Sequence, residues 1–144
     1  MAITQTTCTS FKVELLKAEH DFDTDTFKIA LYTSSATLGA DTTAYSTTNE
    51  VTNTSGTAYT AGGKNLSLTA TFPKSSGTTA LVDFGNVTWS NASFTARGAL
   101  IYNSTASNKA VAVLDFGSDR VASSSTFEVQ FPTADATSAV IRIA

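Results

Sequence analysis

Hydrophobic positions change their spacing once along this chain, and the change separates two kinds of structure. In TSFKVELLKAEHDF, Phe11, Leu15, Ala18 and Phe22 recur at helical intervals, with Leu16 beside them. Thr9 or Ser10 stands where a hydroxyl can cap a first turn, and the helix is expected to end near His20. From TFKIALYT onward the period is two. Phe27, Ile29 and Leu31 fall on one face, and Lys28, Ala30 and Tyr32 on the other.

Residues 34–64 lose this regularity. They are rich in Ser, Thr, Gly and Asn and read as a long excursion, of a length that more often binds than merely connects. Alternation then returns in Leu66, Leu68, Ala70 and Phe72, and Pro73 with KSSG makes a turn. TALVDF, NVTW, SFTARGALIYN, KAVAVLDF, TFEVQF and SAVIRIA follow as strands, with STASN as a turn and SDRVASSS as a polar connection. Seven or eight closely spaced strands without helical crossovers must run antiparallel. The expected fold is all-β, a single domain over residues 1–144. It is an antiparallel β-sandwich of jelly-roll or Ig-like type with one short N-terminal helix, its last strand tucked into a sheet.

Composition strengthens this. Charged residues make up only 15% of the chain, well below average usage, while Thr and Ser together supply about 30%. Thr suits a pleated surface because its branched β-carbon is accommodated there. The net charge of −3 offers no basic footprint for nucleic acid or an anionic membrane. Cys8 is the sole cysteine, so an internal disulfide and a thiolate metal cage are both excluded, as expected of a protein made in a reducing cytoplasm. MAITQTTCTSFKVELL lacks the pattern of a signal peptide, and no apolar run approaches a membrane span.

Several stretches resemble chemical motifs. Gly62-Gly63-Lys64 invites comparison with a phosphate loop, but Asn65 replaces the Ser or Thr, no glycine stands five residues before Gly63, and a strand pattern follows. The glycines are therefore read as a turn. Asp21, Asp23 and Asp25 match the first half of a calcium loop. Thr26 stands where its glycine belongs and Tyr32 where its glutamate belongs, so they are read as solvating the link from helix to strand.

His20, the only histidine, lies at the expected helix end, where the dipole favours a cation. A Cys8–His20 pair would have to bridge about a helix length, and no Gly-x-Ser-x-Gly elbow exists for a serine triad. A carboxylate pair for glycoside cleavage would leave no mark in sequence, since such pairs meet in space. The two DFG triplets, Asp83 to Gly85 and Asp115 to Gly117, are strand exits and not kinase elements. Asn-x-Ser/Thr triplets at Asn53, Asn65, Asn86, Asn91 and Asn103 are expected by chance in so Ser- and Thr-rich a chain. No enzyme, cofactor or metal is expected. Trp89 and Tyr102 lie in strands and are expected in the core. Tyr45 and Tyr59 lie in the excursion and, with Lys64, are the expected partner contacts.

The phrases LYTSSATLGADTTAYSTTNEV, TAYTAGGKNL, ARGALIYN, KAVAVLDFG and FPTADATSAVIRIA, in that order from about Phe11 to Ala144, resemble small virion structural proteins of tailed bacteriophages. The resemblance implies a non-enzymatic capsid decoration, or cement, protein. Such a protein sits on the outer shell of the virion, binds the major capsid protein, self-associates as a homotrimer and stabilises the assembled shell by mass action. Within that resemblance, residues 1–10 are either an arm reaching a neighbour or a frayed end. The alternative placement is a tail, baseplate or fibre component that binds host surface glycan.

Overall fold

The computed structural model describes residues 2–52, 55–68 and 72–144. Among these described residues eight strands and one helix follow in the order β1 (Thr6–Thr7), α1 (Thr9–Leu16), β2 (Phe27–Tyr32), β3 (Lys64–Asn65), β4 (Lys74–Ser76), β5 (Thr79–Val82), β6 (Val87–Asn103), β7 (Lys109–Val129) and β8 (Ile141–Ile143). They build two antiparallel sheets in a sandwich-like fold, one ordered β1-β7-β6-β2-β3 and the other β4-β5-β8. The closing strand β8 pairs with β5, as expected of the alternating C-terminus.

β2 lies between β6 and β3, and both of its faces are buried. That differs from the one-sided strand its alternation predicts. Tyr32, on the face expected outside, is buried with its hydroxyl donating to the Ser46 carbonyl at 2.6 Å. The excursion folds back over this face, so polar-looking sequence covers what would otherwise be a solvated surface.

β6 and β7 form a long hairpin through residues 104–108, where Ser107 and Asn108 adopt positive φ. The hairpin absorbs two expected boundaries. NVTW and SFTARGALIYN are one strand, and SDRVASSS is not a connection but the middle of β7. Four register irregularities along the pair interrupt the period-two pattern, and the exposed side chains of 117–121 mask the pairing. The second DFG triplet is likewise no strand exit. It sits within β7, where Gly117 takes φ +80° and its amide donates to Asp115 Oδ1 at 2.9 Å. The first DFG does follow the end of β5.

The core is strongly aromatic. Phe22 and Phe27 stack at 4.3 Å, Phe84 approaches both from the side of the smaller sheet, and Phe94 lies 4.9 Å from Phe127. Trp89 and Tyr102 are buried, as their strand positions predict.

The N-terminal region departs from expectation twice. α1 starts after Cys8 and stops a turn earlier than predicted, with Lys17 as its C-cap and Ala18 at φ +59°. Neither Thr9 nor Ser10 is the cap. Cys8 holds that position without a side-chain bond, because its amide is already committed to the Val111 carbonyl at 2.9 Å. Pairing with β7 therefore sets where the helix begins. Residues 2–8 are neither a free arm nor a frayed end. β1 pairs with β7, Thr4 N donates to Leu38 O at 2.9 Å, and Ile3 is buried against Gly98. Leu16, expected on the packed face, is 90% exposed.

Thr69 to Thr71 of the strand expected at 66–72 lie outside the described residues, as does the Asn53 of one glycosylation triplet. The flanking Leu68 bridges to Phe84. Among the described residues no helix is long and apolar enough to cross a membrane.

Candidate functional site

The excursion 34–64 carries little regular structure, as predicted, yet it is bound tightly to the sheet. Glu50 is the centre of that attachment. Its Oε1 accepts the Tyr59 hydroxyl at 2.6 Å and the Gly62 amide at 2.7 Å, and its Oε2 accepts the Tyr45 hydroxyl at 2.8 Å. Tyr59 is bonded on both sides, because its hydroxyl oxygen also accepts the Leu31 amide of β2 at 2.9 Å. Val51 N donates to Leu31 O at 2.9 Å and Thr33 N to Asn49 O at 3.0 Å. The edge of β2 beyond β3 is thus closed by one phenol and by the backbone of 49–51, and not by a further strand.

Tyr102 completes the clamp from β6. Its hydroxyl donates to the Gly62 carbonyl at 2.7 Å and its ring stacks on Tyr45 at 4.6 Å. Burial raises the pKa of these phenols, Tyr102 to about 12 and Tyr32, Tyr45 and Tyr59 further. For Tyr45 and Tyr59 the bond to Glu50 adds to the effect.

This geometry resolves the glycine pair. Gly62 and Gly63 take φ of +92° and +77°, and a Cβ on Gly63 would lie 1.7 Å from the Ile29 carbonyl oxygen. The glycines form a turn pressed against β2. The Gly62 amide, the kind of group that cradles phosphate in a nucleotide loop, already binds a carboxylate of the protein itself.

The three expected contact residues part company here. Tyr59 is 3% exposed and packs between Trp89 and Phe94, so it offers no ring to a partner. Tyr45 is half-buried, with its ring on Tyr102 and its hydroxyl on Glu50. Both are structural because a loop this long needs anchors, and Tyr supplies apolar area with one bonding tip. Lys64 is exposed. Its ammonium donates to the Thr88 carbonyl and lies 5.4 Å from the centre of the Trp89 ring.

His20 is not a helix-end cation facing solvent. It is buried against Phe11, with Nε2 2.7 Å from Glu14 Oε2 and Nδ1 3.1 Å from Asn103 Nδ2. Asn103 Oδ1 accepts the amides of Thr105 and Ala106, so its nitrogen must face His20 and Asp25, and Nδ1 of the imidazole is the acceptor. Both ring nitrogens are thereby engaged by side chains of the protein. Cys8 is fully buried, its thiol pushed up to about 11 chiefly by burial, and the contact made by its Sγ is 3.9 Å to the Gly39 carbonyl.

Asp21, Asp23 and Asp25 form a self-contained turn. Asp21 Oδ1 accepts the Asp23 amide at 2.9 Å, and Asp25 Oδ2 accepts the Asp21 amide and Asn103. The Asp21 carboxyl is held low first by that Asp23 amide and then by Thr24. Among the described residues no group of three or more His, Cys, Asp or Glu is placed to hold a metal.

Two surface features complete the description. An open cleft of about 720 Å³ runs under the first half of the excursion, lined by small residues such as Ala36, Thr37, Gly39, Thr42 and Ala44 with Asp41 at its side. A second cleft of about 460 Å³ lies where the chain leaves β5, with Asp83 in its lining. Neither Glu50 nor Asp83 was singled out from sequence for these roles. Glu50 had one available signal, being the sole charged residue between Asp41 and Lys64. Comparisons of the chain with protein-family models, with curated proteins and with solved structures gave no match.

Proposed function

We propose that this chain is a non-enzymatic structural protein of a tailed-phage particle, and that it decorates the outer capsid and binds the major capsid protein as a homotrimer. The observation that carries this reading is the clamp on the excursion. The described residues of 34–63 form no strand or helix of their own and are held to the sheet by Glu50 and by Tyr32, Tyr45, Tyr59 and Tyr102. A loop fixed in advance loses little entropy on docking, which is what a protein needs when it binds a repeating lattice through many small contacts. The face so presented is small-residue, open and sparsely charged, suited to close approach by another protein surface. The sequence phrases that resemble phage virion proteins lie largely in this excursion and in β6 and β7.

Placement on tail or fibres drew its support from aromatic rings free to stack on sugar. Tyr59 is buried in the core and Tyr45 is half-buried on Tyr102, which gives that placement less support than the capsid reading. The test is the copy number per purified virion, by quantitative mass spectrometry against the major coat protein. The expected result is a count comparable to the coat protein, together with heat-induced DNA release at lower temperature from particles lacking this chain. A count of about a dozen, as low-copy tail symmetry would give, moves the protein to the tail, and absence from the particle removes both placements.

A further inference from the structure

The cleft beside β5 contains an unusual group. Asp83 is 4% exposed, and its Oδ1 has no hydrogen-bond partner among the described residues. Burial raises the pKa of the carboxyl, against the opposing influence of the nearby Phe84 and Val140 amides. A buried carboxylate oxygen left without a donor is destabilising, and such groups are concentrated at sites that something else completes.

The surroundings indicate what that partner is. Phe72, Phe84 and Phe131 line the same cleft of about 460 Å³, with Phe84 and Phe131 6.0 Å apart and tilted by 59°. The faces of such rings attract cations. One cation already uses them, because the Lys74 ammonium lies 4.7 Å from the centre of the Phe72 ring. We propose that the cleft bounded by Asp83, Phe72, Phe84 and Phe131 binds a cationic nitrogen, a primary ammonium or a guanidinium, with Asp83 as its counter-ion. A neutral apolar ligand would leave Oδ1 without a donor, and an anion, though drawn by Lys74 in the same lining, would face both the Asp83 carboxylate and the negative faces of the rings. Lys74 is then an internal competitor for the rings. The nitrogen can come from a small amine or from a lysine or arginine side chain of another protein, the recognising chemistry being the same. This inference stands independently of the virion reading.

The test is an amide NMR titration of the intact protein with butylammonium chloride and with a capped Gly-Arg-Gly peptide, each against sodium chloride at equal ionic strength. Saturable shifts at Gly85 and Asn86 are expected. Asp83→Asn, checked for wild-type spectral dispersion away from the cleft, should weaken binding at least tenfold, and Lys74→Met should tighten it severalfold. Saturation by either cation supports the proposal, the tighter of the two assigns ammonium or guanidinium, and a capped Gly-Lys-Gly peptide compared with butylammonium separates a protein side chain from a small amine. Should Asp83→Asn fail to fold, the proposal stands or falls on Lys74→Met. It is overturned if neither cation saturates, if butanol binds as well as butylammonium, or if Asp83→Asn or Lys74→Met leaves affinity unchanged.

Discussion

Replacing Glu50 with alanine should release the excursion while leaving the sheets intact. The substitution removes the acceptor for three donors, but they are not equal. Tyr45 is half-buried and can turn its hydroxyl to water. Tyr59 is buried, and Gly62, whose amide points at Oε1, is buried too. Each stranded buried donor costs about 1–3 kcal/mol, so Glu50→Ala should destabilise by about 2–5 kcal/mol. Glu50→Gln keeps an oxygen for Tyr59 and Gly62, loses the charge assistance and sets an NH2 group where Tyr45 donates, so the half-buried Tyr45 hydroxyl must turn to accept from it or to water, for about 1–2 kcal/mol. Tyr59→Phe strands the Leu31 amide as well as one lobe of Glu50, again at about 1–3 kcal/mol.

Because both residues belong to one network, Glu50→Gln combined with Tyr59→Phe should cost less than the sum of the two. Urea unfolding followed by Trp89 fluorescence measures all four variants, a fall in midpoint at constant slope being the expected form. Amide exchange at Leu31 should accelerate in both Tyr59→Phe and Glu50→Ala. The reasoning is refuted if Glu50→Ala loses less than about 0.5 kcal/mol, within the range of an ordinary surface change. Strict additivity of the pair would refute it equally.

Gly63→Ala would place a methyl 1.7 Å from a backbone oxygen of β2, so it should abolish soluble folded protein, read as loss of dispersion in the NMR spectrum. Asp83 binds its proton more tightly when folded. The native state therefore holds more protons than the unfolded chain from about pH 4 up to the raised value, and this residue's contribution to stability falls as pH rises through that window. The stability of Asp83→Asn relative to wild type should accordingly increase with pH above about 4 and then level off, and a flat difference between the two unfolding series would contradict the assignment. Cys8, buried with its thiol near 11, should resist an aromatic disulfide reagent at pH 8 in the native protein and react within the dead time in urea. Asn103→Ala removes the side chain that bonds His20, Asp25 and two backbone amides in a fully buried position, and should destabilise by about 3–5 kcal/mol in the same urea assay.

Much of the sheet architecture was legible because its determinants are local. Phe27, Ile29 and Leu31 announce a strand by spacing, and Phe127 with Val129 does the same near the end of β7. What escaped is what depends on tertiary pairing. The middle of β7 is written in Ser, Gly, Asp and Arg, residues that signal a loop, and it is a strand only because β6 lies beside it. The helix start escaped for the same reason, since the Val111 carbonyl and not a side-chain cap positions Cys8.

Tyr45 and Tyr59 show how far a composition argument reaches at a candidate site. Tyrosines in an irregular segment are either binding residues or anchors, and the sequence holds no local feature that separates the two. Their partners decide it. Glu50 lies five and nine residues away, and a solitary charge in so uncharged a stretch must be solvated or be collecting donors. It collects three, one of them the backbone amide of Gly62 in the glycine turn. The glycine pair, the acid and the tyrosines are therefore one device. Gly63 brings the loop within reach of β2, Gly62 orients an amide, Glu50 gathers the donors, and Tyr59 returns a bond to the open edge of β2. Each part is unremarkable in sequence and they act through shared bonds, which is how an excursion long and poor in regular structure is held against the sheet.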